Sequence, residues 1–246
     1  VYADDAEVFA WMRAGAPLDA GEQTCIEAQV MDLSDDIAYS VHDVEDGVAA
    51  GRVDLTVLRD DAEAGRVFDT VTEWYLPSAT ADTLASAVDR MRSCRGWPSS
   101  PYDGSRHDQA ALKNLTSELI GRFCHAVEQA THGKHGRGSL TRYTASLVVP
   151  PEIGAEIAVL KGVAAHYVMR TEDRVRLLAG QRRLLADLVE HLVAHPDHLE
   201  AAFRADHARA ADDAARLRVV VDQVASLTDA SATSWHRRLC PGRRVG

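Results

Sequence analysis

Basic side chains are missing from a long stretch near the start of the chain. None stands between Arg13 and Arg52, an interval that holds nine acids. Aromatics are sparse at 6 % of the 246 residues, while Ala, Leu, Val, Asp and Arg dominate. That balance argues against a β-sandwich, which draws on aromatic and β-branched side chains, and favours packed helices. No apolar run approaches the ~18–20 residues of a membrane-spanning helix, and no signal-peptide pattern opens the chain. The four cysteines, Cys25, Cys94, Cys124 and Cys240, lie far apart without C-x-x-C spacing. They read as reduced thiols of a cytoplasmic protein and exclude a disulfide frame or a zinc knuckle. A net charge of −10 leaves little Lys/Arg surface for a phosphate backbone, so nucleic-acid binding is not indicated. Arg237, Arg238, Arg243 and Arg244 crowd the end, and 241–246 reads as a short, solvated basic tail. A chain of this length buries one good core, or a main domain with an appendage.

What is present is mostly helical periodicity. Over 24–50, Val30, Leu33, Ile37, Val41, Val44 and Val48 recur at steps of three and four, and Gly47 and Gly51 mark the end. Residues 52–109 are less regular, broken by "LPSAT" and "GWPSSPYDGS", with 98–109 expected to form a mobile polar loop. Helix returns over 110–130, with Leu112, Leu115, Leu119 and Phe123 on one side. "RYTASLVVP" is the one strand-like stretch, stopped by Pro150 and Pro151. The expected fold class is therefore all-α, with at most a small β-hairpin near 140–149. Further helices are expected over 152–170, 173–195, 197–207 and 209–232, the last burying Leu217, Val221, Val224 and Leu227.

The acid-rich interval centres on "MDLSDDIAYSVHDVEDG", residues 31–47. Asp35, Tyr39 and Asp43 stand at i, i+4 and i+8, on one helix line roughly opposite the apolar stripe. A hard cation takes carboxylate oxygen, and a sugar hydroxyl takes a carboxylate or phenol partner. The same spacing also suits a solvated acidic face. Two His-Asp dipeptides, His42-Asp43 and His107-Asp108, compete as metal doublets; the second is read as lying in a polar turn with no helix around it. His191, His195 and His198 have zinc-compatible spacing, but Pro196 breaks the helix between them, so they read as surface histidines. Lys161 either snorkels from an apolar helix or reaches a phosphate. Arg218 and Asp222 are spaced to pair. Asp229, in "SLTDASA", caps or holds a neighbouring helix.

"EAQVMDLSDDIAYSVHDVEDG" closely resembles the last metal-site segment of bacterial deoxyguanosine triphosphate triphosphohydrolases, the dGTPase-like branch of the HD superfamily. That family writes A-D-x-I-A-Y-x-x-x-D-x-E-D; here Ser34 replaces the common Ala and the rest holds. "LTSELIGRF" (115–123), "EIAVLKGVAAHYVM" (156–169) and "RVVVDQVASLTDASA" (218–232) resemble later parts of the same proteins. The resemblance implies that residues 1–51 end an HD catalytic core, 52–139 form a helical link, and 140–240 form a phosphohydrolase-associated domain. It implies Asp35 as the last metal ligand, with Tyr39 and Asp43 contacting a deoxyribose 3′-hydroxyl. Mg²⁺ or Mn²⁺ as cofactor, dGTP or another dNTP as substrate, and a homo-oligomer follow from the same resemblance. The implied reaction releases deoxyguanosine and triphosphate. The family's other ligands, a His and a His-Asp doublet, are expected upstream of Val1, so the chain is expected to be a fragment inactive on its own. The alternatives are an HD-type phosphodiesterase acting on another nucleotide, or a helical scaffold without catalysis.

Overall fold

Short polar side chains decide where many of the helices begin. Asp60, Thr80, Ser105, Asp212 and Thr228 each accept the N–H three residues ahead, satisfying a donor that the first turn cannot pair internally. The computed structural model describes residues 2–17, 21, 23–169 and 172–242, with backbone alone for 172–174. In order the helices are α1 (Ala6–Met12), α2 (Ile26–Ala49), α3 (Asp61–Trp74), α4 (Ala81–Arg92), α5 (Arg106–His135), α6 (Pro151–Ala164), α7 (Glu172–Ala194), α8 (Ala201–Arg209), α9 (Asp213–Ala225) and α10 (Asp229–Leu239). No strand occurs among the described residues, and the fold is all-α. None of these helices is long and apolar enough to cross a membrane. The chain divides into two compact units, Val1–Arg170 and Thr171–Gly246.

In the first unit α6 is the centre. Ile153, Ala155, Ile157, Val159, Leu160 and Val163 are all buried, leaving almost no polar stripe. A helix apolar on every side must be surrounded, and α2, α3, α4 and α5 all pack against it. The one charged residue buried in α6 is Glu156. Its Oε1 accepts from Arg90 Nε of α4 at 2.6 Å and from Arg122 Nη2 of α5 at 2.8 Å, so one carboxylate joins three helices. Beyond Ala164 the backbone widens into a π turn, Ala165–Met169.

The strand-like segment near 140–149 starts with a turn, in which Thr144 N–H donates to Thr141 O at 3.1 Å, and is paired with no strand among the described residues. Side chains from two helices satisfy its donors instead: Leu147 N–H donates to Gln29 Oε1 of α2 at 2.9 Å, and Val148 N–H to Thr131 Oγ1 of α5 at 3.0 Å. Val30 is 45 % exposed although it keeps the phase of the α2 stripe, because the first third of α2 borders a cleft while Ile37, Val41, Val44 and Val48 enter the core. α5 starts at Arg106, so His107 sits in a helical first turn and not in an open loop.

The second unit has its own core of Leu184, Leu188, Leu192, Leu199, Val220 and Val224. The expected helix over 209–232 is two helices, since Thr228 caps a fresh start at Asp229. Its apolar phase also differs from the expected one. Leu217 and Val221 are exposed, while Val220, Gln223 and Val224 are buried, because Gln223 is drawn inward to accept Glu200 N–H at 3.0 Å. A buried His236 Nε2–Asp187 Oδ2 contact of 2.9 Å ties α10 to α7. Of the basic tail, Arg243 and Arg244 lie outside the described residues.

Close approach of α3 to α6 depends on Gly162, where an added Cβ would overlap the Cγ2 of fully buried Val71. Val has one dominant helical rotamer and cannot swing clear. Gly162→Ala is expected to destabilise the first unit, since overpacking costs ~1–3 kcal/mol against ~1 kcal/mol gained in helix propensity. Urea midpoints check this, with a smaller penalty expected in a Val71→Ala background.

Candidate functional site

The long helix α2 has two faces with different work. Its start is pinned by Ile26 N–H donating to Arg142 O at 2.8 Å, while Arg142 N–H returns a bond to Glu27 Oε1 at 3.0 Å. Arg142 makes this return with φ of 56°, in the left-handed region. Further along, Ile37, Val41, Val44 and Val48 bury the inner face, fixing the rotation of the whole helix. The outer line follows: Asp35 and Tyr39 are exposed, and Asp43 is half-buried.

The surroundings of that line are specific. Asp36, next to Asp35, is engaged by Lys161 of α6, whose Nζ lies 2.5 Å from Asp36 Oδ1 and above the Tyr75 ring. The structure thus gives Lys161 a protein partner. Asp35 itself makes no hydrogen bond or ion pair among the described residues, and its carboxylate faces water. Beside the line, a cleft of about 470 Å³ is bordered by Leu33, Asp36, Tyr75, Pro150 and Lys161. A larger, more apolar cleft of about 590 Å³ opens by Val30, Ser34 and Ile37. Neither is lined by Asp35, Tyr39 or Asp43. Burial pushes the Asp43 carboxyl above its ordinary range, as does the negative charge of Asp46, with His42 opposing. Burial also raises the Tyr75 phenol, and the charge of Asp43 adds to that.

The histidines of both His-Asp dipeptides contact nearby carboxylates. His42 Nδ1 lies 3.2 Å from Glu45 Oε2. His107, almost fully exposed, contacts its own neighbour Asp108 at 3.3 Å, while Asp108 accepts Asp103 N–H. Arg218 and Asp222 do form their i,i+4 pair, at 2.8 Å. Thr228, not Asp229, caps α10. His191, His195 and His198 are gathered, although Pro196 does break the helix: the following 3₁₀ turn, Pro196–His198, brings His198 edge to edge with His191, Nδ1 to Nε2 at 2.8 Å.

Sequence reasoning passed over Glu45, grouping it with the solvated acids, yet it is 5 % exposed. The signal that could have found it was its phase: Glu45 falls one turn after Val41 and one before Val48, inside the apolar stripe. Its carboxylate receives the Lys113 ammonium and the Thr116 hydroxyl of α5, the latter at 3.0 Å. Burial alone would push the Glu45 carboxyl up, but hydrogen bonds from Lys113, Thr116 and His42 outweigh it and hold it below the usual value. A carboxyl depressed on folding stabilises fully above its unfolded pKa and loses that contribution as pH falls through the folded value. Glu45→Gln is expected to cost ~1–3 kcal/mol at pH 7, the cost of a lost charged hydrogen bond in a buried setting. In denaturant titrations its deficit relative to wild type should shrink progressively as the pH falls below the ordinary carboxylate range.

A family model described as "Phosphohydrolase-associated domain" matches residues 147–238. A Streptomyces coelicolor protein named deoxyguanosinetriphosphate triphosphohydrolase-like is 55 % identical over 241 residues, covering 97 % of this chain and 56 % of that protein. Relatives of the same name from Bifidobacterium longum and Corynebacterium diphtheriae are 45 % and 36 % identical, over 98 % and 93 % of this chain and 50 % and 53 % of their own lengths. The chain spans about half the length of these relatives.

Proposed function

We propose that the chain, which is similar over nearly its whole length to proteins named deoxyguanosinetriphosphate triphosphohydrolase-like, is part of a divalent-metal-dependent dNTP triphosphohydrolase, with dGTP as the leading substrate. In this reading α2 presents Asp35 to a Mg²⁺ or Mn²⁺ ion and Tyr39 and Asp43 to the deoxyribose. The observation that carries it is the unequal treatment of neighbouring carboxylates: Asp36 is neutralised by Lys161, whereas exposed Asp35 has no partner among the described residues. A free carboxylate on a rigid, core-anchored helix is a suitable donor for a hard cation.

Asp35 fits as one ligand and no more. Among the described residues no three His, Cys, Asp or Glu side chains converge to hold an ion. When bound, such an ion supplies Lewis acidity toward a phosphate oxygen and activates water. What the chain itself contributes is position. Asp43 stands two turns from Asp35, ~12 Å along the axis at 1.5 Å per residue, a spacing suited to separating a phosphate end from a sugar end. The Tyr39 phenol, one turn from each, can donate to or accept from a hydroxyl while its exposed ring offers an apolar side. Cleavage at the α-phosphorus would release deoxyguanosine and triphosphate. A homo-oligomeric, cytoplasmic enzyme belongs to the same proposal.

Two experiments test it. The 246-residue chain alone is expected to release no triphosphate from dGTP with Mg²⁺ or Mn²⁺, because one ligand does not hold the ion; metal-dependent turnover by it would contradict the ligand assignment. In a full-length protein carrying this sequence, Asp35→Ala should abolish metal-dependent turnover. Asp43→Asn should keep the metal but weaken nucleotide binding by ~1.5–3 kcal/mol, the worth of a hydrogen bond to a charged group, and Tyr39→Phe should be the mildest. Metal analysis with steady-state kinetics reads the order, and equal loss of metal in all three would refute the division of roles.

A further inference from the structure

The charge of the first unit is unevenly spread, and one stretch reverses its sign. Between Glu128 and Glu152 there is no acid, while Lys134, Arg137 and Arg142 fall inside that interval together with His132 and His135. Contacts draw Arg13 to the same surface. Its Nη1 and Nη2 donate to Gln23 O at 2.8 Å and Gly21 O at 2.7 Å. The Gln23 side-chain amide in turn donates to Ser146 Oγ at 3.0 Å, and Ser146 N–H donates to His135 Nε2 at 3.4 Å. Arg142 reaches the same place from the other side of the chain, its guanidinium donating to Met12 O, next to Arg13. Arg13 and Arg142 thus converge on one aromatic ring, with Cζ 5.7 and 5.8 Å from the Tyr143 centroid.

This cluster differs from a solvated charge run in three ways. The carbonyls that hold the two guanidiniums are neutral, so they fix the planar forks and leave both positive charges uncancelled. Neither these arginines nor exposed Lys134 and Arg137 form an ion pair among the described residues. Second, two cations brought to one ring repel each other, and an anion bound to both relieves that repulsion. Third, Arg142 holds a φ of 56°, in the left-handed region that Gly or Asn adopts at lower cost. Strain of that kind points toward function, and what Arg adds there is its charged fork. Glu27 is in contact with the cluster, but its two oxygens accept the Arg142 N–H, at 3.0 and 3.2 Å. One carboxylate leaves the cations in excess.

We propose that Arg13 and Arg142, flanked by Lys134 and Arg137, bind a linear phosphate chain, whether that of a free oligophosphate or that of a single-stranded nucleic-acid backbone. The two held forks take phosphate oxygens in pairs, and the flexible side chains of Lys134 and Arg137 gather the charge that follows. The net charge of −10 conceals this local reversal of sign. The site does not depend on the reaction proposed for α2.

Isothermal titration of sodium triphosphate into the chain, at low salt and without divalent metal, tests this. One saturable site per chain is expected, weakening as salt rises. Arg13→Gln and Arg142→Gln should each weaken it about tenfold or more, the effect of losing a hydrogen bond between charged groups, with circular dichroism showing unchanged helix. Both arginines also hold backbone carbonyls, so a double variant, Lys134→Gln with Arg137→Gln, provides a test in which the fold is not at stake. A loss of about threefold or more is expected from it. Arg209→Gln, in the second unit, should change nothing. Competition by a fluorescein-labelled oligothymidylate identifies the nucleic-acid backbone as the source of the phosphate chain, and triphosphate binding without such competition identifies the free anion. Absence of saturable triphosphate binding, or wild-type affinity in Arg13→Gln, Arg142→Gln or the double variant, overturns the proposal.

Discussion

The first unit depends on burying α6 completely. A helix with so little polar surface can exist in water only if neighbours cover every side, and α2, α3, α4 and α5 do so. The cost of that arrangement appears at Glu156, a carboxylate removed entirely from solvent. An isolated buried charge is prohibitive, and pairing offsets the desolvation only with good geometry. Arg90 and Arg122 meet one oxygen of Glu156 from two helices, at 2.6 and 2.8 Å, while keeping part of each guanidinium near water, and Oε2 stays buried with no hydrogen bond among the described residues. Removing either arginine would strand part of that charge. The triad thus specifies which faces of α4 and α5 meet α6, beyond what apolar packing requires.

The same economy shapes α2. Its inner residues lock its rotation, Glu45 ties it to α5 through Lys113 and Thr116, and Lys161 ties it to α6 through Asp36. Three independent constraints therefore hold a helix whose outer line carries Asp35, Tyr39 and Asp43. Such over-determination is unnecessary for a solvated face, and it is what a site needs if side chains are to meet a cation and a sugar within fractions of an ångström.

How far this was legible in the sequence varies with the range of the interaction. The helical character and the burial of Ile37, Val41 and Val44 follow from a 3.6-residue period, which is local. Val30 keeps the same period yet lies exposed, because a cleft and not a helix stands across from it, and periodicity carries no information about what faces a stripe. Residues 141–149 have the β-branched character of a strand, but Gln29 and Thr131, far away in the chain, take its donors. Glu45 and Lys161 find their partners 71 and 125 residues away, so the sequence shows an acid in an apolar stripe and a lysine in an apolar helix without saying why. The line of Asp35, Tyr39 and Asp43 is visible from spacing; its chemical meaning came from resemblance to a family, since spacing suits a solvated face equally well. Pro196 does end the helix, and His195 and His198 are exposed as expected, although the turn after it brings the three rings near one another.

The central proposal is that the exposed Asp35 carboxylate, without a partner among the described residues, ligates a hard cation. Anomalous diffraction from crystals of a full-length protein carrying this sequence, grown with Mn²⁺, addresses it without recourse to activity. One strong Mn²⁺ peak is expected at coordination distance, ~2.0–2.2 Å, from an Asp35 oxygen, with Asp36 still on Lys161. A peak bound elsewhere, with Asp35 solvated and uncoordinated, would contradict it.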